Sequence, residues 1–283
     1  MSQIWFILLY QPLVNALIFL YKVFFNNLGW AIITLTILIR LAIVPLVRPQ
    51  LEMSKKMQEL APELEKLKKK HGNDKQKLAA AQMEIYKKAG VNPAAGCLPQ
   101  IIQFLILIAL FQAFSQVLKP DGVTVIEKLN QVLYPSLKLS PSSTLNLKFL
   151  WLNLSKPDVV KTNFLPNLPL PGLFLSLSVL SQVLLSKMMM PQIKKVEEQA
   201  KKTETTQDDF SAAMQTQMTY MFPLMTLLFG FSFPSGLVLY WFIFSASSLV
   251  QQYFISGWGG LENFKFQISN FKYKNGERED KNN

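Results

Sequence analysis

The sequence predicts an all-α polytopic membrane protein with five transmembrane helices, and three observations carry that expectation. Half of the 283 residues are hydrophobic, twenty-one of them Phe, and mean hydropathy is positive; soluble domains do not have this composition. Stretches 97–118, 162–186 and 210–261 carry no charge, and 23–47 carries only Arg40. About 20 apolar residues cross a bilayer as a helix, so 210–261 holds two spans and a turn. The segments between these stretches are rich in Lys, and that asymmetry orients the spans.

In the N-terminal segment 1–28, residues 3–25 are apolar around most of a helix but are interrupted by Gln11, Pro12, Asn15 and Lys22. Such a helix suits an interfacial position or a first span, and the sequence leaves both open. The first clear span is 29–47. Residues 48–94 then read as a cytoplasmic helical hairpin. Met53, Met57, Leu60, Leu64 and Leu67 recur at spacings of four and three, one stripe of a helix. His71-Gly-Asn-Asp74 ends that helix and offers Asp74 as the N-cap of the next, whose weaker stripe is Leu78, Gln82, Ile85 and Ala89. Eleven Lys or Arg against six acids over 48–95 make the hairpin strongly basic. Its methionines suit adaptable contact with an apolar partner, and the same stripe also serves to hold the hairpin together.

The second span, 95–118, opens at Asn92-Pro93 and carries Pro99, Gln100, Gln103 and Gln112. A loop rich in Pro, Ser and Asn covers 119–169, followed by the third span at 170–188 and a Lys-bearing polar segment at 189–216. Spans four and five, 217–233 and 236–256, flank Phe233-Pro-Ser-Gly236, where Pro and Gly break the helix. Residues 257–283 form a charged tail of disordered composition. Keeping the Lys-rich hairpin, the 189–216 segment and the tail in the cytoplasm puts the N-terminus and 119–169 outside.

Several chemistries are excluded. One cysteine, Cys97, allows no intramolecular disulfide and no cysteine-based metal cluster. The single histidine, His71, stands in a Lys-rich turn, where a solvated role is the ordinary one. No Ser/His/Asp set, paired intramembrane carboxylates, metal ligands or phosphate-binding glycine loop is present, so neither enzyme chemistry nor a cofactor is expected. Met-Ser-Gln-Ile-Trp has no basic n-region and no cysteine, so neither a cleaved signal peptide nor a lipid anchor is expected.

Arg40 is the informative residue. An arginine within a span costs roughly 2.5–3.5 kcal/mol on insertion scales unless water or a partner receives it. No other apolar stretch carries an Asp or Glu. Arg40 therefore either snorkels to the inner surface or faces a hydrated cavity, and the second alternative makes it a working site.

Leu35-Thr-Ile-Leu-Ile-Arg40 is followed by Pro45-Leu46; Gly72-Asn-Asp-Lys-Gln-Lys77 leads through Tyr86-Lys-Lys to Val91-Asn-Pro93; Gly96-Cys-Leu-Pro99 is followed by Gln103. Further on stand Phe149-Leu-Trp-Leu-Asn-Leu-Ser-Lys-Pro-Asp158, Phe233-Pro-Ser-Gly-Leu-Val-Leu-Tyr-Trp241 and Gln251-Gln252. In this order, over about Gln11 to Ile255, these motifs resemble the YidC/Oxa/Alb family of membrane insertases. Two features depart from the family pattern: Lys119 to Leu147 is longer than the usual outer loop, and the tail is short and only mildly basic.

The resemblance implies that the five spans form a hydrophilic groove, open to cytoplasm and lipid and closed outside, with an N-terminal interfacial helix. It implies Arg40, Gln182 and Trp241 as groove residues that contact substrate, with Gln103 and Tyr240 as further candidates. On their own residues, Gln182 also reads as an interhelical hydrogen bond and Trp241 as an interface anchor. Met188-Met-Met190, Met214, Met218, Met221 and Met225 suit a soft apolar slide or plain core. The implied function is insertion of nascent membrane proteins into a bacterial plasma membrane, alone or beside ribosome and Sec translocon, with no sequence-specific nucleic-acid contact. The rival is a secondary transporter or channel for an anionic solute, although no internal repeat or matched pair of broken helices is visible.

Overall fold

Pro12 has no N–H to give the regular helical ladder, and the backbone responds just ahead of it. Helix α1, Gln3–Val23, starts as an α-turn, widens to a π-turn over Phe6–Tyr10, and is regular from Gln11 onward. The computed structural model describes residues 3–71, 74–90, 98–118, 122–160, 169–189, 220–258 and 261. The expected hairpin turn at 72–73, Asn92-Pro93, the polar segment beyond Met189, Met214, Met218 and residues 262–283 of the tail lie outside them.

Phe25 and Asn26 turn the chain after α1 with left-handed backbone. Helix α2, Leu28–His71, follows; the Asn27 side chain caps it by accepting from the Trp30 N–H at 3.3 Å. This helix does not stop at Val47. It continues through Pro45 and Pro49, each of which removes a single ladder bond, into a stretch rich in the helix formers Leu, Glu, Lys and Gln. Arg48 and Glu52 pair along it at 2.8 Å. Helix α3, Lys75–Lys88, has the expected cap: the Asp74 carboxylate accepts from the Lys77 N–H.

Helix α4, Leu98–Val117, is apolar on all sides. Within the segment read as loop the chain then builds an amphipathic helix α5, Gly122–Val132. Val125, Ile126, Leu129, Val132 and Leu133 are buried, at the spacing of one helical face. Two antiparallel ribbons follow, β1 (Lys148–Phe149) with β2 (Leu152–Asn153) and β3 (Val159–Val160) with β4 (Leu170–Pro171). Helices α6 (Leu173–Met189), α7 (Tyr220–Gly230) and α8 (Ser235–Ser256) complete the described chain, and the α7–α8 turn falls at the expected Phe-Pro.

By length and composition three of these helices can cross a membrane: Gln3–Val23, Leu28–Met53 and Ser235–Ile255. Phe104–Val117, Leu173–Met189 and Tyr220–Gly230 are shorter apolar helices. Met1–Leu46, Cys97–Gln182 and Met221–Ser248 form one compact unit. Its core runs from Val14, Leu17 and Ile18 through Leu28 and Ile32 to Leu110, Phe114, Leu129, Leu154, Leu175 and Leu239. The remaining residues form the second unit, which holds α3 and its Glu84–Lys88 pair at 2.7 Å.

Candidate functional site

Arg40 and Thr36 are one turn apart on α2. The Thr36 hydroxyl is spent on the Ile32 carbonyl at 2.7 Å. Arg40 is only 6% exposed, and its Nη2 donates to Ser248 Oγ on α8 at 2.6 Å. Ser248 gives its own proton to the Phe244 carbonyl at 2.8 Å, which turns its lone pairs toward the guanidinium. The guanidinium carbon also sits 4.4 Å from the centre of the Phe244 ring. Such a contact is worth about 2 kcal/mol or more when desolvated. One turn of α8 thus holds the cation at two points.

Tyr240 lies one turn earlier on α8 and is 2% exposed. Its ring is 5.9 Å from Phe244 and 5.8 Å from Phe114 of α4. Arg40 and Tyr240 are therefore joined through Phe244. Beyond them Ser245, Ser248 and Gln252 are all buried, at spacings of three and four that place them on one face of α8. Neither amide atom of Gln252 has a hydrogen-bond partner.

The other sequence candidates stand elsewhere. Gln182 on α6 donates to Ser178 at 3.3 Å and accepts from the Thr226 hydroxyl of α7 at 2.9 Å, so it ties two helices. Trp241 lies 5.7 Å from Phe233 and lines an apolar cleft of about 220 Å³ with Leu107, Ile108, Phe111, Phe229 and Leu237. Tyr240 and Trp241 are adjacent, yet one faces the core and the other this cleft. The side chain of Gln103 lies outside the described residues. Sequence reasoning passed over Ser248, Phe244 and Thr226, because a hydroxyl or a ring in an apolar helix raises no alarm until a partner is known. Among the described residues no group of three His, Cys, Asp or Glu could hold a metal.

A second polar cluster joins α1 to the segment after α5. Asn15, which is buried, accepts from the Tyr134 N–H at 2.7 Å and donates to the Val132 carbonyl, and Gln11 donates to the same carbonyl at 3.0 Å. Lys22 donates to the Leu137 carbonyl at 3.0 Å, and the Tyr21 hydroxyl accepts from the Asn146 N–H. Toward the start of α1, the Trp5 indole donates to Gln112 at 3.0 Å and the Tyr10 hydroxyl bonds Gln116, both on the last turns of α4.

The family model described as 60Kd inner membrane protein matches residues 19–259. The chain is similar to the membrane protein insertase YidC of Fusobacterium nucleatum, 35% identical over 230 residues that cover 81% of this chain and 86% of that relative. It is 33% identical to the proteins of that name from Wolinella succinogenes and Paracoccus denitrificans, over 87% and 90% of its own length. It spans only 36% of each of those longer relatives.

Proposed function

The chain belongs to the 60Kd inner membrane protein family, the YidC/Oxa family, and from that premise we infer that it is a membrane protein insertase of the bacterial plasma membrane. The match over residues 19–259 carries this reading. The physical task is to move the polar flank of a nascent helix across hydrocarbon without stranding its backbone groups. A polar groove partway through the membrane shortens that path. In this reading the groove is formed by α2, α4, α6, α7 and α8, and Arg40 is its fixed cation, which attracts an acidic or hydrated tail.

The geometry supports this role in three ways. Ser248 and Phe244 fix the Arg40 guanidinium, so little reorganisation is needed when an acidic group approaches. Ser245 and Ser248 give α8 buried hydroxyls beside the cation's own turn. Trp241 and the cleft around it offer an apolar wall to the passing helix. The membrane potential then favours outward transfer of an acidic tail by about 2.3 kcal/mol per charge per 100 mV. No bond is broken and no nucleotide is consumed.

The N-terminus and the 119–169 segment are outside in this reading, and the basic hairpin, 189–216 and the tail are in the cytoplasm. Helix α1 then lies in the outer interface. Contacts near both its ends support that placement: Trp5 and Tyr10 reach the last turns of α4, and Lys22 reaches the outer segment. Upright in the bilayer, Gln11 through Lys22 would rise about 16 Å and draw the backbone of 132–146 into hydrocarbon. The hairpin receives nascent chains and meets ribosome or translocon.

Depletion of the native protein, with complementation by wild type, Arg40→Lys or Arg40→Ala, tests the reading. Insertion of a short-tailed membrane protein is expected with wild type and Arg40→Lys and lost with Arg40→Ala. Arg40-dependent solute flux in vesicles, without insertion, would establish the transporter instead.

A further inference from the structure

Asp158 is a buried carboxylate that the groove does not use. It is 3% exposed, at the end of the motif Asn153-Leu-Ser-Lys-Pro-Asp158. Its Oδ2 accepts from the Leu175 N–H at 2.8 Å, and its own carbonyl accepts from the Gly172 N–H at 2.9 Å. Leu175 is the third residue of α6, whose first ladder bond goes from the Ser176 N–H to the Gly172 carbonyl. Gly172 therefore occupies the N-cap position without a side chain, and Asp158 supplies the missing cap from elsewhere in the chain. A Cβ at Gly172 would overlap that carboxylate, so glycine at 172 and aspartate at 158 are one device.

The same segment secures two more helices. At the start of α8, the Ser235 N–H donates to the Lys156 carbonyl at 2.7 Å and the Gly236 N–H to the Leu154 carbonyl at 3.0 Å. The Ser235 hydroxyl donates to the Asn153 carbonyl. At the start of α2, the Phe149 ring fills the space where Gly29 has no side chain and meets Trp30 edge-on at 5.8 Å. Trp151 stacks on Phe174 of α6 at 5.8 Å. Helices α2, α6 and α8 therefore begin on a single short segment, 149–158.

We propose that Asp158 is a positioning residue for insertion: it pins the 149–158 segment across the starts of α2, α6 and α8 and thereby closes the groove on its outer side. This rests on the outward placement of that segment given above. The groove must admit a polypeptide from one side without becoming a pore for ions. A charge-assisted cap to a buried N–H, with a glycine cut to fit it, holds the segment down during transit.

The test uses the full chain with Cys97→Ser and a reporter, Thr36→Cys, one turn toward the outer end from Arg40. A membrane-impermeant maleimide is applied to right-side-out vesicles, with Val160→Cys as an exposed control. The reporter should stay at background in the parent and rise toward the control when Asp158→Ala or Gly172→Ala is added. Asp158→Asn should give a smaller rise. Background labelling of Asp158→Ala, in protein that keeps its thermal transition, overturns the proposal. If Asp158→Ala does not accumulate, background labelling of both Gly172→Ala and Asp158→Asn does so. Insertion by the parent is scored alongside: its loss would count against the insertase reading, whereas the labelling pattern reports on the seal alone.

Discussion

Arg40 and Ser248 are joined by a 2.6 Å hydrogen bond between α2 and α8. The serine gives its only proton to the backbone of its own helix, so toward Arg40 it acts purely as an acceptor. One turn of α8 therefore offers the cation a neutral oxygen and a ring face. These two contacts orient the guanidinium and bring no negative charge of their own.

Ser248→Ala should loosen the cation while leaving its charge in place. The lost bond to a charged group corresponds to about 1.5–3 kcal/mol. The expected result is a lower thermal transition with insertion reduced but not abolished, whereas Arg40→Ala abolishes it. Equal losses in the two variants would show that orientation matters as much as charge.

Gln182 and Thr226 test whether the glutamine acts on substrate or on its neighbour helix. A double-mutant cycle with Gln182→Leu and Thr226→Val should give a coupling near 0.6 kcal/mol, the usual size for such pairs in membranes. A groove role requires more than this tie. Insertion should therefore fall further in Gln182→Leu than in Thr226→Val, and matching losses would reduce Gln182 to an interhelical bond.

Asn15 is the residue that ties α1 to the segment after α5. Asn15→Leu leaves the Tyr134 N–H without its partner, at a cost of about 1–3 kcal/mol, while the Val132 carbonyl keeps its bond from Gln11. Proteolysis within 134–146 from the outer side should accelerate in this variant. Unchanged cleavage would indicate that Gln11, Tyr21 and Lys22 suffice to hold the segment.

The α3 cap gives a pH dependence with a defined sign. Hydrogen bonds from the Lys77 backbone and side chain hold the Asp74 carboxyl below its ordinary value. Because the folded value is depressed, the cap is fully present above the unfolded aspartate value of about 3.9 and is lost as pH falls through the folded value. The Glu84 partnership holds Lys88 above its ordinary value, so its contribution is lost only as pH rises through that raised value. Amide exchange across Lys75–Lys88, corrected for intrinsic rates, should be flat from pH 5 to 8 and rise in more acid solution. Asp74→Ala should show the faster exchange from pH 5 to 8 and converge with the parent in the most acid solution.

Much of the helical framework was legible because apolar length is written directly in composition. Arg40 was legible as a charge that its surroundings do not excuse. Ser248 and Phe244 were not, since their meaning depends on a partner 208 and 204 positions away, respectively, along the chain. The helix at Gly122–Val132 was readable from Val125, Ile126, Leu129, Val132 and Leu133, but the Pro, Ser and Asn around it masked that stripe. The continuity of α2 past Val47 was hidden for a different reason: polarity changes at Arg48 while backbone conformation does not. The Asp158–Gly172 cap was beyond reach, because it joins residues that lie far apart in sequence and meet across the end of the β3–β4 ribbon.

Reconstitution tests the central claim most directly. Purified chain in lipid vesicles, with no other protein, is given a one-span substrate carrying a short acidic tail, and the protease-protected fraction is measured. Wild type and Arg40→Lys should protect the tail well above the level of empty vesicles, and Arg40→Ala should fall to that level. Equal protection by Arg40→Ala, or none by wild type, would contradict the account.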